Sequence, residues 1–226
     1  MTDSPTDLLQ VALTHLEQAT LLIRQAQAAT SNAGACEPAG IPGEYADDHQ
    51  ARKALVELLR TIRLNRGVTQ KVLAERLAVD HSQIGNLENG TNWRVATLQR
   101  WCRGLGMRLQ LTLRGLPEPV EADELEAVYA RMHPTTPADI DHLALLRLLN
   151  YLTRVRRHLG LSGEALARRM GLSKRAPATW EARGENSHLN TMQRYARGLG
   201  GWLEVLVVPD DTPGVYAEML QPEGGV

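Results

Sequence analysis

Residues 67–90 read GVTQKVLAERLAVDHSQIGNLENG, and the rest of the 226-residue chain is organised around them. The spacing predicts a short helix from Thr69 to Leu77, with Thr69 placed to accept a hydrogen bond from a backbone N–H of the first turn. Ala74 is a small residue in mid-helix, where a second helix can cross closely. Ala78, Val79 and Asp80 supply a turn. Asp80 can cap a second helix from His81 to Glu88, and Gly90 ends it.

The pattern returns in residues 161–184, LSGEALARRMGLSKRAPATWEARG. A shift of 93 places Leu166-Ala167 on Leu73-Ala74, Leu172 on Val79 and Trp180-Glu181 on Leu87-Glu88. Further on, residues 99–106 (QRWCRGLG) match residues 193–200 (QRYARGLG) at a shift of 94, so the second copy carries one extra residue in the loop between. Val128-Tyr129-Ala130 returns as Val215-Tyr216-Ala217. A repeat this long predicts duplication of a whole domain.

Two short helices joined by a tight turn form a helix-turn-helix, whose second helix suits the DNA major groove. The first stretch resembles the phage-repressor (Cro/repressor, Xre) family through Thr69-Gln70, Leu73-Ala74, Leu77, Val79, Ile84 and Leu87-Glu88-Asn89-Gly90. That resemblance implies a mainly α-helical chain with two tandem five-helix-type helix-turn-helix domains.

Charge agrees with this reading. The net charge is only -1, but residues 51–114 carry +8 and residues 142–208 carry +7. The segments 1–50, 115–141 and 209–226 carry -6, -6 and -4. Phosphate binding needs local positive potential rather than a positive average. A hydrophobic content of 43% allows each copy a core. No apolar run approaches the ~20 residues of a membrane span. The start, MTDSPTD, lacks the basic region of a signal peptide. Cys36 and Cys102 form no metal or redox pattern, so the expected compartment is the cytoplasm, with the protein on the nucleoid.

Working outward, residues 1–30 predict an amphipathic helix capped by Ser4, with Leu9, Leu13, Leu16, Thr20 and Ile23 at helical spacing. Its apolar face has three open destinations: the body of its own chain, the same helix of a second chain in a homodimer, or a protein partner. Residues 31–46 are a Gly/Pro/Ala-rich linker. The first domain is assigned to residues 47–114. Asp47 or Asp48 is expected to cap its first helix, with Leu55, Leu58 or Leu59, and Ile62 facing the core. Residues 115–135 form an acidic linker with a helix starting near Val120. The second domain, 136–208, opens on Thr136-Pro137-Ala138-Asp139, a cap followed by proline and an acid, and offers Leu148, Tyr151, Leu152 and Val155 to its core. The acidic tail, 209–226, contains a short helix.

Each copy has a further helix, Val95 to Arg103 and Leu189 to Arg197, which Gly104 and Gly198 can end in the left-handed conformation. The period then changes to two. Met107, Leu109, Leu111 and Leu113 alternate with Arg108, Gln110, Thr112 and Arg114, and residues 202–208 behave alike. Each copy thus closes with one β-strand. Pairing the two covers edges that would otherwise stay open, and a two-fold relation makes the ribbon antiparallel. This resembles antitoxin-type Xre members, whose dimers join their terminal strands.

In a major groove, short polar side chains at the start of the second helix reach base edges. In the first copy these are His81 and Ser82, with Asn86 one turn on and Gln83 alongside. The resemblance implies that Gln70, with Lys71 next to it, holds the DNA backbone. Asn89, Asn92 and Arg94, with Thr91, follow the helix and suit phosphate. In the second copy the matching positions are Lys174 and Arg175, with Thr179 and Arg183. Arg175 can pair bidentately with guanine, and Lys174 suits phosphate as well as a base. Two changes weaken this copy: Gly163 replaces Gln70, and Pro177 replaces Ile84, which costs a hydrogen bond unless the helix begins later.

The expectation is a sequence-specific binder of double-stranded DNA, a transcriptional repressor whose unlike copies form an intramolecular pseudo-dimer on an imperfect palindrome. No metal-binding His spacing, phosphate-cradling glycine loop or catalytic constellation is legible, so no cofactor, metal, membrane partner or enzymatic activity is expected. A rival reading makes the chain an antitoxin-like protein-interaction module whose N-terminal helix binds a partner, with DNA binding secondary or lost.

Overall fold

The computed structural model describes residues 45–90, 92–119 and 124–210. The expected N-terminal helix, most of the 31–46 linker, Thr91, residues 120–123 of the acidic linker and residues 211–226 of the C-terminal tail lie outside them. Among the described residues there are nine α-helices and one two-stranded sheet. No described helix is long and apolar enough to cross a membrane.

The first half runs α1 (Ala46–Asn65), α2 (Gln70–Arg76), α3 (His81–Asn89), α4 (Val95–Gly104) and β1 (Met107–Arg114). A short helix, α5 (Glu124–Tyr129), follows. The second half runs α6 (Pro137–His158), α7 (Gly163–Met170), α8 (Ala176–Arg183), a 3-10 turn (Gly184–Asn186), α9 (Leu189–Gly198) and β2 (Trp202–Pro209). Four α-helices precede each strand, one fewer than a five-helix-type unit requires.

Local chemistry accounts for several boundaries. Thr69 accepts a hydrogen bond from the Val72 N–H and Ser162 one from the Ala165 N–H, so α2 and α7 start on matching caps. Thr136 and Asp139 form a reciprocal capping box at the start of α6. The expected caps of α1 and α3 are corrected. Asp80 stands before α3 without a side-chain bond to its first turn. Tyr45, not Asp47 or Asp48, precedes α1, and Asp48 is buried with its carboxylate turned to the other half of the chain.

The Gly-Leu-Gly pairs also work differently from expectation. Gly104 and Gly198 end their helices without a positive φ. A Cβ on Gly104 would stand 2.7 Å from Leu77, and one on Gly198 would stand 2.6 Å from Leu166. Their role is close approach of α4 to α2 and of α9 to α7. The left-handed conformation falls on Gly106 (φ +63) and Gly200 (φ +97), which turn the chain into each strand.

β1 and β2 pair antiparallel, as expected, with Leu111 opposite Val205 and Arg114 opposite Trp202. Leu111 and Val205 are also equivalent positions at the shift of 94. A second short bridge joins the segments before α4 and α9. Arg94 pairs with His188, the Val95 N–H donates to the Ser187 carbonyl and the Leu189 N–H to the Trp93 carbonyl, both at 2.9 Å. Arg94 and His188 are again related by 94. An antiparallel pair of equivalent residues lies on a local two-fold axis, and the chain shows two such pairs.

The buried residues of both halves form one continuous core. Leu55, Leu58, Leu59 and Ile62 are all buried on α1. On α6, Leu152 and Val155 are buried while Leu148 and Tyr151 pack at the core's margin; Leu145 and Leu149 fill the positions expected of them. Between the halves, Arg197 bonds Asp48 at 3.0 and 3.2 Å, and Arg103 bonds Asp141. Gln193 accepts from Arg52 at 2.6 Å, and Gln99 donates to the Asp141 carbonyl at 3.1 Å. Each half thus grips the start of the other's long helix with the same residue types.

Candidate nucleic-acid interface

The geometry of α2 and α3 begins with a buried ion pair. Arg63, on α1, donates from Nε to Glu88 Oε1 at 2.5 Å and from Nη2 to Oε2 at 3.0 Å. Its Nη1 donates to the Val68 carbonyl at 2.9 Å, which holds the α1–α2 loop. Gln70 Nε2 then donates to Glu88 Oε2 at 2.8 Å. Burial pushes the Glu88 carboxyl up, but the hydrogen bonds from Arg63 and Gln70 and the charges of Arg63 and Arg60 outweigh it and hold the group below its ordinary value. One carboxylate therefore fixes α1, α3 and the first residue of α2 relative to one another.

This framework sets which side chains leave the surface. Ile84, Leu87 and Glu88 are buried on α3, while His81, Ser82, Gln83 and Asn86 are exposed. Ser82 and Asn86 are one turn apart on that exposed face. Lys71 is exposed beside Gln70. An open groove of about 450 Å³ lies between the α1–α2 loop and the start of α3, lined by Thr69, Gln70, Lys71 and His81 among others. Three of the expected residues of the first copy are thus brought around one groove: Gln70, Lys71 and His81.

Four expected residues sit differently from a simple reading. Gln70 is half-buried and spends one amide hydrogen on Glu88, so its other amide hydrogen remains for a phosphate. Asn89 is exposed but donates back to the Gly85 carbonyl at 2.8 Å, which closes the end of α3. Asn92 and Arg94 are exposed past the helix end, on the segment that leads to the Arg94–His188 bridge.

The second half repeats the framework with altered parts. Arg156 donates to Glu181 at 2.7 and 2.9 Å and to the Leu161 carbonyl at 2.8 Å. Its guanidinium pKa is raised, first by the hydrogen bond to Glu181. Where Gly163 supplies no amide, the Tyr195 hydroxyl donates to Glu181 Oε1 at 2.6 Å. Burial and that carboxylate raise the Tyr195 pKa, so the phenol stays protonated. Trp180, in the place of Leu87, lies with its ring centroid 4.4 Å from that of Tyr195. This substitution of tyrosine for glutamine was not read from the sequence. The paired signal was visible: Gly163 where Gln70 stands, and Tyr195 where Trp101 stands.

Lys174 and Arg175 require correction. They do not begin a helix; they form the turn before α8, which starts two residues later than its equivalent. The cause is Pro177. At the second position of α8 it needs no N–H partner, so the late start removes the cost of the proline. Lys174, Arg175 and Thr179 are all exposed. The side chain of Arg183 lies outside the described residues. Pro177 itself is buried, which fills the place of Ile84.

Comparison with known families gives one match: residues 54–114 fit the model of a helix-turn-helix domain. The matched stretch begins within α1 and ends on the last residue of β1. A helix-turn-helix domain is therefore present in the first half, and it points to DNA as a partner. No curated protein and no solved structure matches the chain.

Proposed function

We propose that this chain is a sequence-specific double-stranded DNA-binding regulator of the phage-repressor (Xre) type, and that it represses transcription by covering a promoter. Two unlike helix-turn-helix units, 47–114 and 136–208, act as an intramolecular pseudo-dimer. The observation that carries this reading is the pairing of equivalent residues, Leu111 with Val205 and Arg94 with His188. A two-fold relation between α3 and α8 is what a two-fold DNA site requires.

The base-facing residues of the first unit are His81, Ser82, Gln83 and Asn86, with Gln70, Lys71, Asn89, Asn92 and Arg94 toward phosphate. In the second unit, Lys174 and Arg175 act from the turn, Thr179 from α8 and Arg183 from its last residue. Asn86 suits adenine and Arg175 suits guanine. The two half-sites therefore differ, and the operator is an imperfect palindrome with centres roughly 10 bp apart. The basic charge of residues 51–114 and 142–208 supports phosphate contact by both units.

The test is selection of the full chain against random duplex DNA, followed by titration of the recovered site at two salt concentrations. The expected result is a two-part site with unlike halves and an affinity that falls steeply with salt. Recovery of no enriched sequence would refute sequence-specific binding. Recovery of one half alone would reduce the second unit to a structural partner.

A further inference from the structure

The two halves grip each other by equivalent contacts, and one of those contacts lacks a side chain that the other has. Gln193 Nε2 donates to the Asp48 carbonyl at 3.4 Å, and its equivalent, Gln99, donates to the Asp141 carbonyl at 3.1 Å. A carbonyl only accepts, so both amide nitrogens face it and both amide oxygens turn elsewhere. Gln193 Oε1 accepts from Arg52 Nη1 at 2.6 Å. At the shift of 93 that relates Asp48 to Asp141, the residue equivalent to Arg52 is Leu145. Gln99 Oε1 accordingly accepts no hydrogen bond from a described residue, although Gln99 is only 4% exposed.

A cavity of about 200 Å³ lies at this place, between α4, β1 and the start of α6. Gln99, Leu109, Asp141 and Leu145 line it as buried residues, and Arg108 and Gln110 line it as exposed ones. The charges of the two halves differ in the same sense. Arg197 and Arg52 both act on the Asp48 carboxylate. Arg103 pairs with Asp141, but Leu145 brings no second cation.

We propose that this cavity binds a small molecule with a guanidinium at one end and a carboxylate at the other. The guanidinium takes the place that the Arg52 side chain fills in the other half, and donates to Gln99 Oε1 beside the Asp141 carboxylate. A buried amide oxygen without a donor is costly, and a charge-assisted bond to it is stronger than a neutral one. The planar, weakly hydrated guanidinium suits a half-buried ion contact better than an ammonium does. Leu109 and Leu145 offer apolar surface to a short methylene chain between the two ends. Arg108 would repel a bare cation at the exposed side, and the same charge attracts a carboxylate there. The volume admits a short chain and excludes a peptide. Contact between the halves forms the cavity, so the proposal does not depend on DNA binding. Because the ligand would join α4 and β1 of the first half to α6 of the second, it should stabilise the folded chain.

The experiment titrates the full wild-type chain with γ-guanidinobutyrate and with γ-ureidobutyrate, its neutral counterpart of the same shape, by calorimetry. Side-chain NMR of the glutamine amides and leucine methyls is read in parallel. The expected result is saturable one-to-one binding of the guanidinium compound, roughly tenfold tighter than that of the urea. The Gln99 amide and Leu145 methyl signals should shift with the same midpoint, and the thermal unfolding midpoint should rise with ligand. Leu145→Arg should abolish binding, because its guanidinium occupies the place as Arg52 does in the other half, and Gln99→Met should weaken binding roughly tenfold. Absence of saturable binding at millimolar ligand would overturn the proposal. Equal affinity for the two compounds, or binding that leaves Gln99 and Leu145 unshifted, would overturn it as well, as would unchanged affinity in a folded Leu145→Arg chain. The NMR readout is made on the wild-type chain, so it decides the matter even where a variant fails to fold.

Discussion

Arg197 holds Asp48 across 149 positions of sequence, with Nη2 3.0 Å from Oδ1 and Nε 3.2 Å from Oδ2. Arg103 holds Asp141 in the mirror arrangement. Burial raises the Asp48 pKa against the opposing pull of the Arg197 hydrogen bond and charge, so the pair is costly to break. Replacing Arg197 with Met should leave the buried Asp48 without its hydrogen-bonding partner, with only the charge of Arg52 nearby, and lower stability by up to about 3 kcal/mol. The check is denaturant unfolding followed by Trp fluorescence, and one cooperative transition is expected because the core is continuous. Two separate transitions would mean that the halves do not depend on each other.

Ala78 occupies the left-handed region at φ +46, while its equivalent in the second half, Gly171, sits at φ +62. A Cβ is disfavoured there. Ala78→Gly should therefore raise stability by roughly 0.5–1 kcal/mol, and Gly171→Ala should lower it by a similar amount. Melting temperatures of the two variants, measured side by side, test the opposite signs.

Glu88 is held below its ordinary value of 4.5 in the folded chain. The folded state then binds fewer protons than the unfolded state near that value, so stability from this group is full above pH 4.5 and is lost as pH falls through the depressed value. Stability of the wild type should drop more steeply than that of Glu88→Gln between pH 5 and about pH 3. Parallel curves for the two proteins would contradict the assignment.

Gln70 and Asn86 should separate on substitution. On the proposed DNA-binding reading, Gln70→Ala removes a phosphate contact but leaves Glu88 its two bonds from Arg63, so stability should change by less than about 1 kcal/mol while affinity falls across all sequences. Asn86 is exposed on α3, and Asn86→Ala should cost about 1–3 kcal/mol at one base pair and relax preference there. Competition binding against single-base operator variants distinguishes uniform from local loss.

Much of this architecture was legible in the sequence because its signals are local or periodic. Thr69 and Ser162 precede their helices as caps, and alternation at Met107–Leu113 marks a strand. Antiparallel pairing of the two closing strands was also legible, because each copy ends in one strand whose edges need a partner, while the register of Leu111 against Val205 came from the structure. Asp48 was misread because a carboxylate near a helix start looks like a cap, and its true partner lies 149 residues away. Lys174 and Arg175 were matched to the start of a helix that begins two residues later, because Pro177 decides the start of α8 and residue matching by a fixed shift carries the old boundary with it. Gln70 was read as a free clamp because pairing with Glu88 arises only when α2 and α3 pack together. The expected N-terminal helix falls outside the described residues.

The central claim is that one chain presents both halves of a two-fold DNA-binding unit. Native mass spectrometry of the full chain with a duplex carrying both recovered half-sites tests it most directly. One chain per duplex, with binding weakened when either half-site is scrambled, is the predicted result. Two chains per duplex, or binding indifferent to one of the half-sites, would contradict it.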